Sequence, residues 1–182
     1  MKTNGVQTNG KTAEIPAAPL LDATIQKRLK APFPSSWVGW KAQSTNRDRT
    51  RALAVAYIDA RAVMARLDAV VGPGHWSDAY RVIRDETYIV RDGDGKERRV
   101  REVEVECRLT VLGVTKVDVG SGEDAKAAYS DAFKRAAVKF GIGRYLYSLP
   151  KQWVDYDART RQIVTPPQLP DWALPANERG QQ

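Results

Sequence analysis

The sequence is short of the residues on which catalysis and cross-linking usually depend. One cysteine, Cys107, and one histidine, His75, occur in 182 residues. A single thiol excludes an internal disulfide and fits a reducing compartment. A Ser-His or Cys-His nucleophile scheme would have His75 as its sole imidazole. That residue sits beside a Gly-Pro-Gly turn with no Gly-x-Ser-x-Gly motif nearby, so it reads as a surface loop residue. There is no Cys/His cluster for zinc and no Gly-x-x-x-x-Gly-Lys-Ser/Thr loop for ATP. No apolar run is long enough to span a bilayer, and no apolar secretory segment opens the chain. The expectation is a soluble, cytoplasmic protein with no metal, nucleotide or other cofactor and no membrane role.

The chain is, by contrast, rich in positive charge. Twenty-nine Lys and Arg against 22 Asp and Glu give a formal net charge of +7, which favours a polyanionic partner. The length suits one domain with a proper core. Met1 to Pro19, with Thr-Asn-Gly at 3–5 and again at 8–10, reads as a disordered tail. Residues 20–164 then form the domain, and 165–182, with Pro166, Pro167, Pro170 and Pro175, a flexible tail.

Within the domain, Asp22 is placed to cap a short helix that ends before Pro32 and Pro34. Trp37, Val38 and Trp40 read as an extended segment. A helix is expected from Arg49 or Thr50 to Val71, on the stripe Leu53, Ala56, Tyr57, Ala60, Val63 or Met64, Leu67 and Val70, closed by Gly72-Pro73-Gly74. Three strands come next. Trp76–Arg91 alternates imperfectly, with Ile83 and Ile89 hinting at a bulge or a two-sided strand. Arg98–Leu112 alternates cleanly, with Val103, Val105, Cys107, Leu109 and Val111 on one face and Glu102, Glu104 and Glu106 on the other. Asp92-Gly93-Asp94-Gly95 turns between these two, and Leu112-Gly113 turns into Val114–Val119.

The densest stretch is 120–150. Ala125, Ala128, Tyr129, Ala132, Phe133, Ala136, Ala137 and Phe140 lay an apolar stripe along one helix. Ser121 with Asp124 reads as a variant capping box, and Gly141 as the stop. Arg135 and Lys139 fall on one shoulder of the stripe and Lys126 on the other. A helix following a three-stranded meander must cover the sheet's apolar face to bury its own stripe. The fold class is therefore α+β, an antiparallel three-stranded β-meander covered by a long α-helix, a β-β-β-α core with N-terminal helices before it. After Pro150, residues 153–157 and 161–164 suit a small edge hairpin.

The wording of this stretch, Asp118-Val119-Gly120, then Lys126, Asp131, Phe133-Lys134-Arg135-Ala136 and Phe140-Gly141, resembles the Rad fifty-two/Rad twenty-two family of single-strand annealing proteins, from about Tyr57 to about Trp153. The resemblance implies a single-stranded DNA partner, ATP-independent strand annealing in DNA repair and a ring-shaped homo-oligomer. It also implies a groove between hairpin and core helix, with phosphates bound from both sides. Lys134 and Arg135 match the family's inner DNA-binding pair. A further basic position of that helix falls on Val138, with Lys139 beside it. Lys151 matches an outer-path position whose partner becomes Asp155. The family's arginine in the preceding helix falls on Ala62, one residue, or about 100° of helix, from Arg61. The hairpin supplies Arg81, Arg84, Arg98, Arg99 and Arg101, phosphate ligands on one reading and cross-strand partners of Glu86, Glu102, Glu104 and Glu106 on the other. The alternatives are protection of DNA ends without annealing, an RNA-binding module, and a magnesium-dependent nuclease built on the strand glutamates.

Overall fold

The computed structural model describes residues 20–91, 93 and 95–180. The expected N-terminal tail, and Asp92 and Asp94 of the first turn, lie outside them.

Helix α1 (Ala23–Lys30) begins where Asp22 accepts a hydrogen bond from the Ile25 amide at 2.7 Å. One 3-10 turn (Ser35–Trp37) leads into β1 (Gly39–Thr45). The next segment departs from expectation. Arg51–Tyr57 is a strand, β2, paired antiparallel with β1, and the helix proper, α2, covers only Ala60–Val71. Ala52 and Ala54 are buried with period two. The three-four spacing of Leu53, Ala56 and Tyr57 merges by coincidence with the true helical stripe of Val63 and Leu67. Asp59 marks the boundary by accepting from the Ala62 amide at 2.7 Å, the ordinary way of satisfying a first-turn donor.

The meander is as expected. Strands β3 (Trp76–Arg91), β4 (Glu97–Val111) and β5 (Val114–Gly122) form a sheet in that order, all antiparallel. The register slips between Val82 and Arg84, at the bulge that Ile83 suggested. The β4–β5 turn, with φ of 48° at Leu112 and 77° at Gly113, has the primed geometry that suits a two-residue hairpin. Val103, Val105, Cys107, Leu109 and Val111 are all essentially inaccessible. Burial pushes the Cys107 thiol up to about 11.

Helix α3 (Ala125–Val138) lies across this sheet. Its cap corrects the expected capping box. Asp124 accepts from the Ala127 amide at 2.8 Å, while Ser121 belongs to β5. The stripe's alanines allow a close approach, and β5 answers with glycines. A Cβ on Gly120 would stand 2.1 Å from the Ala132 nitrogen, and one on Gly122 2.6 Å from that of Ala128. Larger side chains would lift the helix off the sheet and open voids beneath it. Phe133 meets Trp76, and Tyr129 meets Tyr80, at centroid distances of 6.0 and 4.8 Å. Gly141, with φ of 95°, ends the helix run. Three side chains also engage the outer backbone of β5. Lys139 donates to the Val117 carbonyl, Asp118 accepts from the Val119 amide, and Asp131 accepts from the Ser121 amide.

Strand β6 (Gln152–Asp157) pairs with β2 and with the short β7 (Gln162–Ile163). The edge hairpin thus joins β1 and β2 in a second sheet of order β1-β2-β6-β7. The Pro-rich segment beyond it takes only a 3-10 turn, at Asp171–Ala173. It is nonetheless anchored: Leu169, Ala173 and Leu174 are buried in the core, and Glu178 accepts from the Ser35 amide at 3.0 Å. Reading it as a flexible tail misses these anchors, because proline excludes regular structure without excluding burial. Among the described residues no helix is long and apolar enough to cross a membrane.

Candidate nucleic-acid interface

A cleft of about 350 Å³ separates β1 and β2 from the C-terminal half of α3 and the 3-10 turn Arg144–Ser148. Three elements give it its character. The exposed edge of α3 brings Asp131, Lys134, Arg135 and Val138; the turn and the residues just after it bring Leu146, Tyr147 and Lys151; and the first sheet hairpin brings Trp40, Lys41 and Tyr57. The floor is apolar, with Ile58, Ile142 and Leu146 buried beneath it. Lys41 lies over the Tyr57 ring, 5.9 Å from its centroid, a weak attraction at an exposed site. Tyr57 in turn rests against Gly39, where a Cβ would meet the ring at 2.6 Å.

Lys134, Arg135 and Lys151 therefore share one cleft, although the family resemblance puts Lys151 on a different path from the other two. Arg135 is held from behind. Its Nε stands 3.4 Å from Asp118, whose other oxygen is 3.2 Å from Lys139. Partial burial disfavours the charge on Asp118. The Val119 amide, Lys139 and Arg135 more than offset that and keep its carboxyl below the usual range. Lys134 and Lys151 form no ion pair among the described residues.

The remaining cations lie elsewhere. Lys126 is exposed in the first turn of α3, eight residues or about 12 Å along the axis from Lys134. Lys139 faces β5 through Asp118. Arg61 is exposed on α2 and Ala62 buried, so the one-residue offset turns Arg61 away from the core side. On the hairpin, Arg81 pairs with Glu106 at 3.0 Å, Arg84 with Glu86 at 2.7 Å and Glu102 at 3.4 Å. Arg101 grips Asp85 through two bonds of 2.8 Å. Arg98 and Arg99 are exposed and, among the described residues, without a partner. Glu102 and Glu106 of β4 are thus tied to arginines of β3 across the strands. Among the described residues no three His, Cys, Asp or Glu side chains are placed to hold a metal ion.

Sequence reasoning missed Trp40, Lys41 and Tyr57 as cleft residues, because they stand on a hairpin whose second strand reads as helix. The Asn46 turn was the available signal: its side chain accepts from the amides of Thr50 and Arg51, as asparagine does in tight turns.

Fold and cleft together define a β-β-β-α protein whose covering helix turns cations into an apolar-floored groove. The model of the Rad52/22 family double-strand break repair protein matches residues 22–164, and the chain belongs to that family. Two relatives carry the name single-stranded DNA-binding protein DdrA. The protein from Deinococcus radiodurans is 49% identical over 160 residues, covering 85% of this chain and 70% of the relative. The protein from Deinococcus deserti is 48% identical over 160 residues, covering 85% and 72%.

Proposed function

We propose that this chain binds single-stranded DNA in the cleft between β2 and α3 and acts in DNA repair, by ATP-independent strand annealing, by shielding strand ends, or by both. The observation that carries the reading is the convergence of Lys134, Arg135 and Lys151 on one groove. Cations gathered along a groove release counterions when phosphates replace them, which yields affinity without sequence preference. The relatives' name, single-stranded DNA-binding protein, supports the same ligand. The protein works in the cytoplasm by binding and needs no catalytic group. It assembles as a homo-oligomeric ring, a reading supported by the family and by the exposed Val82, Ile83 and Ile89 of the hairpin.

The test is strand annealing with two complementary labelled oligonucleotides, without ATP or magnesium, beside a binding titration on one strand. Binding with accelerated annealing is expected if the bases stay free along the groove. Binding without annealing assigns the chain to strand protection, a second reading favoured by the sharing of one cleft by Lys151 and Lys134. Shortening of the strands on adding magnesium would instead reveal a nuclease.

A further inference from the structure

Phosphates alone do not account for the cleft. A groove that only tracks a phosphodiester backbone needs cations on a polar, open surface. This one has a floor of Ile58, Ile142 and Leu146 below its cationic rim. Its volume of about 350 Å³ is at the small end of the range of small-ligand pockets, enough for one nucleotide and too little for a duplex. At its mouth stands Tyr147, 73% exposed, with no hydrogen bond or ring contact among the described residues. The turn that carries Tyr147 is anchored just ahead of that residue. Leu146 is buried, and Arg144 donates to the carbonyls of Val138 and Lys139. An aromatic ring held in water by a rigid turn, beside unpaired cations, has the form of a stacking platform.

Resting on the function proposed above, we propose that the cleft accepts one base of each bound strand, stacked on Tyr147 over the apolar floor, while Lys134, Arg135 and Lys151 hold the flanking phosphates. Charge complementarity and the apolar floor together fit a nucleobase joined to a phosphate chain. Duplex DNA is then refused, because its bases are paired and cannot enter. One base per chain is withheld from pairing, which favours keeping a strand over presenting it.

The experiment compares an oligo-dT strand with an abasic tetrahydrofuran strand of equal length and charge, titrated with the full chain and with Tyr147→Ala, Tyr147→Phe and the double variant Lys134→Glu/Arg135→Glu. Wild type should bind the abasic strand about tenfold more weakly, with the same salt slope because the phosphates are unchanged. Tyr147→Ala should erase the difference while keeping the circular dichroism of the wild type, and Tyr147→Phe should retain it. Equal affinity of wild type for both strands, or a difference undiminished in Tyr147→Ala, overturns the proposal. If the charge-reversed variant loses both strands while wild type does not distinguish them, the base site falls and the phosphate groove stands. If the charge-reversed variant binds both normally, the groove falls and the base site with it.

Discussion

In the β3–β4 hairpin most arginines have a carboxylate opposite them, whereas in the cleft Lys134 and Lys151 have none among the described residues. The two regions are alike in composition and differ in pairing. A guanidinium gripped by a carboxylate, as Arg101 is by Asp85, must give up that partner before it can serve a phosphate. An unpaired ammonium beside an apolar floor gives up only water. Counting basic residues along the sequence therefore overstates the hairpin and understates the cleft.

The contrast can be tested in descending order of effect. Lys134→Glu/Arg135→Glu should weaken single-strand binding by roughly tenfold or more, and reduce the slope of log affinity against log salt by about 1.4 for two lost phosphate contacts. Fluorescence anisotropy at several salt concentrations measures both, and normal affinity would remove the cleft from consideration. Arg98→Glu/Arg99→Glu touches the exposed arginines of the hairpin that lack a partner, and should cost about three- to fivefold. A loss exceeding that of the cleft variant would invert the comparison. Arg101→Gln removes a cation already neutralised by Asp85, so the affinity change should stay below about twofold.

The smallest effect concerns Asp118, which sits behind Arg135. Its folded pKa is depressed, so its contribution to stability is present above the ordinary carboxylate range near 3.9 and lost as pH falls through the folded value. Urea midpoints of wild type and Asp118→Asn should differ most at neutral pH and converge below about pH 4. A gap that stays constant with pH would mean that the charge of Asp118 contributes nothing.

The parts that could be read from sequence are those where side-chain contrast is high. Val103 to Val111 alternates with glutamate and arginine, and α3 alternates alanine and phenylalanine with lysine and aspartate, so both periods are unmistakable. Contrast fails at Arg51–Tyr57, where Ala52, Ala54 and Ala56 fit a helix or a strand equally well by size. The turn at Asn46 and the cap at Asp59 separate the two. The docking of Leu169 and Leu174 depends on a surface built by distant elements, which no local pattern encodes. The cleft suffers the same way. Lys134 and Arg135 can be named from α3 alone, but their opposite wall comes from the hairpin that the alanines disguise.

The side-chain bonds along the outer backbone of β5 bear on how copies of this chain meet. A strand added edgewise to β5 would compete with Lys139 for the Val117 carbonyl, with Asp118 for the Val119 amide and with Asp131 for the Ser121 amide. That margin is guarded against templating another strand. No described strand lies outside β3, so the meander is open to extension on one flank and resistant on the other. A strand added from outside would thus be opposed at β5.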